Sequence, residues 1–576
     1  MPSLDVSELN IVLSILGSFI ILYGVISVKI KRVWYLGEAL PAVVIGILLG
    51  PIAAKFIDSE RWGSAERGQT SLITLGVMRV MIGVQLVIAG FQLPAKYQLT
   101  RWKEMALCLL PIMTIMWLCT TLCMLATIPN LTLLAALVIG SCVTCTDPIL
   151  SQAIAKGPFA DKFVARDLRE IISSEAGAND GFGFPFLMLA TYLIRHADVP
   201  QALVKQAGTE APVATASPAA VVAELGSRAL ELVSRAEGVG RLGGGVGEAM
   251  KQWFLETWLY IVLLSVVYGA VVGYGSRKAV AFALRRAKKL LTTSTNRQWI
   301  DSESYLLFPT AMGLFLIGTC GAIGTDDLLA CFVAGNLLNW DGQYLEETEK
   351  RHDEVNSCVD VLLNFGGFMY IGAIMPWDEF NQPDITGITY PRLLGLGVLV
   401  ILFRRIPAIF ISYKLMPGVC KNWKEALFMG YFGPIGAGAV FYLEHTRHHL
   451  FPELGAGDAE ESALIRAIGP VVMWLVLFSI VVHGLSIPAL DVIYRYMGVQ
   501  PIQDDAVETR RLSIHVVGPA NAIAADKETF IQYNRFSRPV FDAAQLPIAR
   551  EKDDYSVEYS SRDRIIKFNE GRGVRR

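Results

Sequence analysis

The stretch Ser141-Cys-Val-Thr-Cys-Thr-Asp-Pro148 decides how the chain is read. It lies inside an apolar run from about residue 131 to 155, so it sets a carboxylate, two threonine hydroxyls and a proline in the middle of a segment long enough to cross a bilayer. Proline lacks an N–H and disfavours helix at the residue before it, so the run is expected to unwind at Asp147. Unwinding frees backbone carbonyls beside Asp147, Thr144 and Thr146, and hard oxygens of that kind suit a small cation. The alternative is an aspartate that merely caps a kink.

Apolar runs of this length recur on either side. Their approximate limits are 9–28, 34–57, 71–93, 105–128, 131–155, 169–195, 253–276, 303–322, 325–340, 356–377, 389–415, 424–444 and 463–493, about thirteen candidate spans, of which the ninth is short and the sixth rather polar. The composition agrees. Of 576 residues 53% are hydrophobic and 18% charged, with a mean hydropathy of +0.43, whereas soluble domains carry about 25% charged residues. An all-α polytopic membrane protein is therefore expected. Lys and Arg number 51 against 53 Asp and Glu, which gives no basic surface for nucleic acid. Acids at Asp5 and Glu8 stand where a signal peptide would be basic. The nine cysteines form no CxxC pair and sit in apolar runs, which argues against a disulfide framework or a zinc site.

Basic residues cluster in alternate loops, such as Lys29, Lys31 and Arg32, then Lys96, Arg101 and Lys103, then Arg285, Arg286, Lys288 and Lys289. The intervening loops are nearly devoid of them. Basic loops face the cytosol, so the N-terminus is expected outside and the C-terminus inside. The expected organisation is a first membrane half at 1–196, an external Ala- and Gly-rich insertion at 197–251 with one amphipathic helix near 219–235, a second membrane half at 252–495, and a charged cytosolic tail at 496–576 whose basic end touches anionic lipid.

Charges within spans cost at least ~2.5 kcal/mol each on insertion scales, so each needs a reason. The sixth span holds Ser173-Ser-Glu-Ala-Gly-Ala-Asn-Asp-Gly181. Glu175 and Asn179 are four apart and share a helix face, with Asp180 about 100° further round. A carboxyl in a partly dehydrated cavity holds a proton or a cation but not both, and that competition is sufficient for exchange. A polar packing interface is the plainer reading. The eleventh span holds Phe403-Arg-Arg-Ile-Pro407. A guanidinium keeps its charge, so a buried one must find a carboxylate, and Glu175 is the candidate partner, with Arg405 favoured over Arg404. One of the two could instead snorkel to the cytosolic surface. The twelfth span, Met429-Gly-Tyr-Phe-Gly-Pro-Ile-Gly-Ala-Gly-Ala439, is broken by glycine and proline without charge. The fifth and twelfth spans are thus both interrupted and seven apart, as in transporters built from two inverted six-helix halves. Asp326 and Asp327 in Gly321-Ala-Ile-Gly-Thr-Asp-Asp-Leu-Leu329 either cap the ninth span or line an entrance. His445-Thr-Arg-His-His449 reads as an external polar loop.

Several uncommon strings occur in order: Ser141 to Pro148, Glu175 to Gly181, Gly324-Thr-Asp-Asp-Leu-Leu-Ala-Cys-Phe332, Ala334-Gly-Asn-Leu-Leu-Asn-Trp-Asp-Gly342, His352-Asp-Glu-Val-Asn-Ser-Cys358 and Val482-His-Gly-Leu-Ser486. Over about residues 10–490 the chain resembles the fungal plasma-membrane sodium/proton antiporters of the cation/proton antiporter superfamily. The resemblance implies an NhaA-like fold with two inverted repeats, two crossing discontinuous helices, a moving core and a homodimer. It also implies Asp180 as the carboxylate carrying ion and proton, Asn179 beside it, Thr146 and Asp147 at the crossing as further sodium ligands, and Glu175 paired with an arginine of the eleventh span. Asp326 and Asp327 match an acidic pair in the fungal motif, which favours an entrance or regulatory role.

The expectation is exchange of Na+, and of Li+ or K+, for H+ across the plasma membrane, with small cations, protons and lipid as partners and no cofactor. The alternatives are a K+-selective antiporter of an internal membrane, a transport-dead sensor, and an intramembrane aspartyl protease. The last needs two aspartates sharing a proton.

Overall fold

The structure, a computed structural model, describes residues 8–32, 34–57, 69–155, 158–197, 243–290, 300–351, 355–451, 459–500 and 502, together with 507–510, 522–524, 529–532 and 566–567. Each of the apolar runs is helical. The first is Glu8–Arg32, the third Gln69–Gln92, the fourth Trp102–Thr127, the eighth Ser302–Ile323, the tenth Val355–Ala373 and the thirteenth Ala459–Met497. The second is shorter than its apolar run because Gly50-Pro51 stops it, leaving Ala39–Leu49. The ninth is a compact Asp327–Leu338. Seven of the described helices are long and apolar enough to cross a membrane, and the shorter ones complete the bundle. Apolar side chains such as Ile21 and Val25 stand exposed on the outer surface, as they do where lipid is the solvent.

Four spans are split. The fifth is Leu133–Cys142 followed by Pro148–Ala155, and the twelfth is Trp423–Tyr431 followed by Ala437–His445. The sixth turns at 180–183 between Arg166–Asn179 and Phe184–Arg195. The eleventh breaks at its two arginines between Tyr390–Phe403 and Ile406–Ser412.

The helices sort into two groups. The second packs on the tenth, the third on the eighth and ninth, and the seventh on the ninth. The fourth packs on the first half of the fifth and on the eleventh, and the thirteenth on the first half of the fifth and the second half of the twelfth. Between the groups, the third span meets the first half of the sixth and the second half of the twelfth. The seventh span bridges the groups, its start lying on the sixth and its later part on the ninth.

Two expectations change at the edges. The seventh helix starts at Gly245, so the end of the expected insertion is helical and continuous with the span. Most of the insertion, including the expected helix near 219–235, lies outside the described residues. Beyond the helical membrane part, four short strands, Val507–Arg510 (β1), Ala522–Ala524 (β2), Thr529–Gln532 (β3) and Ile566–Lys567 (β4), pair antiparallel in the order β2-β3-β1-β4. The basic end at 568–576 lies outside the described residues.

Candidate functional site

Every helix end inside a membrane leaves backbone groups that no water can satisfy. At the interruption of the fifth and twelfth spans there are four such ends. The spans cross there: the Asp147 N–H donates to the Pro434 carbonyl at 2.9 Å. The half-helices Pro148–Ala155 and Ala437–His445 both begin at the crossing, presenting N–H groups and positive dipole ends to each other. Asp147 serves both. Its Oδ1 accepts from the Ile149 and Leu150 N–H groups at 2.9 and 2.8 Å, and its Oδ2 accepts from Ala437 N–H at 2.6 Å. Asp147, the expected sodium ligand, thus caps both half-helices, with three of about four acceptor positions filled. Gly436 allows the approach, since a Cβ there would overlap the Asp147 carboxylate.

The two half-helices that end at the crossing leave carbonyls. Arg404 Nη1 donates to those of Val143 and Cys145, and its Nη2 to that of Gly433. Arg405 Nε donates to Met429 O at 2.9 Å, and its two terminal nitrogens form a fork with Glu175 at 2.6 and 2.7 Å. Both arginines are buried, so neither snorkels. Arg405 pairs with the carboxylate and Arg404 with the helix ends.

Asn179 and Asp180 follow on the sixth span, where the helix turns. Asn179 clasps Thr146: its Oδ1 accepts from the Thr146 N–H at 3.1 Å and its Nδ2 donates to Thr146 Oγ1 at 2.8 Å. Asp180 is different. It is 0% exposed and neither carboxylate oxygen has a hydrogen-bond partner. The Tyr442 hydroxyl holds the Asp180 backbone carbonyl at 2.5 Å and leaves the side chain alone. The carboxylate lies against Gly438 at the start of the half-helix Ala437–His445, where a Cβ would come within 2.5 Å of Oδ1.

The acidic pair splits its duties. Asp326 Oδ1 caps the ninth span through Leu329 N–H at 3.0 Å, while its Oδ2 is buried without a partner. Asp327 pairs with Arg79 of the third span at 2.7 Å. The segment His445–His449 is helical rather than a loop: His445 ends the half-helix Ala437–His445 and packs edge-on against Phe184, and a π-helical turn, Thr446–Leu450, continues it.

Arg79, Tyr442, Ser479 and His483 were not singled out from the sequence as site residues. Arg79 carries the plainest signal, a lone charge in an apolar run. The others are polar side chains whose partners lie on distant segments.

A helical membrane bundle with two interrupted spans crossing beside a buried, unpartnered carboxylate has the architecture of the cation/proton antiporter class. The chain belongs to the sodium/hydrogen exchanger family: the family model described as sodium/hydrogen exchanger, transmembrane, matches residues 15–491. Among its relatives are Na(+)/H(+) antiporter 2 of Zygosaccharomyces rouxii, 31% identical over 86% of this chain and 54% of that protein, and the Na(+)/H(+) antiporter of Saccharomyces cerevisiae, 33% identical over 84% and 44%. A Schizosaccharomyces pombe Na(+)/H(+) antiporter is 30% identical over 84% of this chain and 91% of its own length. The chain thus spans about half the length of the first two. The solved structure of the sodium proton antiporter MjNhaP1 from Methanocaldococcus jannaschii at pH 8 superposes with a TM-score of 0.52 at 14% identity, covering 83% of this chain and 100% of that one. At that identity it shows the fold alone. The relatives carry the names of transporters, not of enzymes.

Proposed function

We propose that this protein exchanges Na+ for H+ by alternating access, with Asp180 as the group that carries either. The observation behind this is the bare carboxylate. A buried charge without a partner costs several kcal/mol, so Asp180 must be neutralised, and a proton or a monovalent cation does so equally. Because the two exclude each other, occupancy by one drives release of the other. Facing the cytosol, a cation displaces the proton. After the core moves, a proton from outside displaces the cation. Thr146, which Asn179 holds in place, and Asp147, with its remaining acceptor capacity, are the further oxygens for the ion. Asp326, with its spare oxygen, belongs to the entrance.

Li+ and K+ as further cargo, a plasma-membrane location with the N-terminus outside, two halves at 1–196 and 252–495, and a homodimer complete the proposal. The names of the fungal relatives support Na+ as the first cation. A protease mechanism fits poorly, because Asp147 is occupied by N–H donors and is not free to share a proton with Asp180.

The test is exchange in proteoliposomes loaded with a pH-sensitive dye and challenged with NaCl, KCl or LiCl. Wild-type protein should alkalinise or acidify the lumen according to the cation gradient, and Asp180→Asn should do neither while remaining folded and reconstituted. Cation-coupled proton flux in that variant at the wild-type rate would refute the role of Asp180.

A further inference from the structure

We propose that Ser479 and His483 of the thirteenth span are positioning residues for transport: they hold the interruption of the twelfth span in place, and with it the helix start that faces Asp180. This rests on the exchange reading above.

Phe432 N–H still closes onto the Phe428 carbonyl and Gly433 N–H onto that of Tyr431, but beyond them the interruption up to Gly436 depends for its shape on groups that reach it from other segments. Several do. Arg404 takes the Gly433 carbonyl and the Asp147 N–H takes that of Pro434. The thirteenth span supplies the anchors at both ends. At the near end, His483 Nε2 lies 3.0 Å from the Tyr431 carbonyl. At the far end, the Ile435 N–H donates to Ser479 Oγ at 2.7 Å. The anchors are joined, because Ser479 Oγ is 3.0 Å from His483 Nδ1.

One proton arrangement satisfies every link of the clamp, while leaving the Nδ1 lone pair 2.9 Å from the Ser479 carbonyl. The Ser479 hydroxyl donates to Nδ1, and the imidazole proton sits on Nε2 and is donated to Tyr431 O. The other neutral tautomer would give Nδ1–H to the Ser479 carbonyl at 2.9 Å but set the Nε2 lone pair against the Tyr431 carbonyl. Both side chains are buried, at 2% and 4% exposure, so water cannot replace them. A third contact extends the clamp: the Tyr431 and Ser486 hydroxyls are 2.6 Å apart. Positions 479, 483 and 486 follow helical spacing and share one face of the thirteenth span.

What the clamp controls lies just downstream. Ala437 N–H meets Asp147 and Gly438 meets the Asp180 carboxylate, two and three residues beyond Ile435. A small cleft lined by Gly397, Arg404, Gly433, Ile435, Ser479 and His483 adjoins the interruption. Every polar group of the clamp is already partnered within the protein, so the residues act through the twelfth span and not on the ion.

The experiment uses the full chain, purified and reconstituted, with His483→Leu, Ser479→Ala, the double variant and His483→Gln. Amide hydrogen exchange across residues 430–437 should be roughly tenfold faster in His483→Leu, with the third and eighth spans unchanged, as for local rather than global opening. The Na+ concentration for half-maximal exchange should rise about fivefold or more in either single variant, an effect no larger in the double variant because both cut one chain of bonds. His483→Gln, which places an amide donor near the former Nε2–H, should restore most of it. Wild-type half-saturation and segment exchange in His483→Leu would overturn the proposal. So would a loss matched by faster exchange throughout the protein and unrelieved by Gln, which would mean a packing role alone. If the wild-type protein moves no Na+ against H+, the exchange reading fails, and the hydrogen-exchange result still decides whether the clamp exists.

Discussion

The Asp180 carboxylate lies close against Gly438. In the interior of a helix alanine is favoured over glycine by about 1 kcal/mol, so propensity alone would welcome Gly438→Ala. The added Cβ instead meets the Asp180 carboxylate. We expect Gly438→Ala to lose exchange in proteoliposomes while overpacking costs only about 1–3 kcal/mol of stability, read as a modest drop in thermal unfolding temperature in detergent. Undiminished exchange would show that the carboxylate has more freedom than its surroundings suggest. The Arg405–Glu175 fork behaves differently. Removing one partner strands a buried charge, so Arg405→Met should destabilise by about 3–5 kcal/mol, and adding Glu175→Leu should recover most of the loss. A single variant as stable as wild type would mean that Glu175 finds another partner. These roles were unequally legible. Asp180 stands out in the sequence because a mid-span carboxylate is expensive, and Glu175 with an arginine follows from charge balance. That Asp147 caps two helices was not legible, because Ala437 lies 290 residues away and an aspartate before proline looks the same whether it caps or binds.

At the scale of elements, the interruptions were readable because proline and glycine act locally on backbone conformation. How their ends are satisfied depends on tertiary contacts, which no local pattern carries. Asp147 and Arg404 divide that work by sign, the anion at the two N-terminal ends and the cation at the two C-terminal ends, as helix dipoles require. Asparagine at 147 keeps one acceptor oxygen and so can serve one half-helix only. We expect Asp147→Asn to cost about 1–3 kcal/mol through the uncapped N–H groups, with faster amide exchange at 437–439 or at 149 and 150. If Asp147 served chiefly as an ion ligand, the same variant would keep wild-type stability and amide protection while losing Na+ dependence. The edges of other elements were misjudged for a related reason. The second helix ends at Gly50-Pro51 inside an apolar run, and composition registers only the run.

For the molecule as a whole, the proposed alternating access requires the group containing the fifth, sixth, twelfth and thirteenth spans to move against the group containing the third and tenth. The contact to be broken lies where the third span meets the second half of the twelfth. There Ser71 donates to Glu444, and Thr74 and Tyr370 hydroxyls lie 2.7 Å apart, tying the third span to the twelfth and to the tenth in turn. Asp327 and Arg79 brace the third span against the ninth within one group, so that pair can persist through the motion. The Ser71–Glu444 contact joins the two groups and cannot. Linking these positions therefore should stop exchange. In a protein with Cys358, the exposed native cysteine, replaced by serine, the double variant Ser71→Cys, Glu444→Cys treated with a short bis-methanethiosulfonate reagent should lose cation-coupled proton flux and regain it on reduction. A matched link between Arg79→Cys and Asp327→Cys should leave flux no lower than in the same variant unlinked. Full exchange with the Ser71–Glu444 link in place would mean that the third and twelfth spans travel together, and the moving boundary would then have to lie elsewhere among the helices.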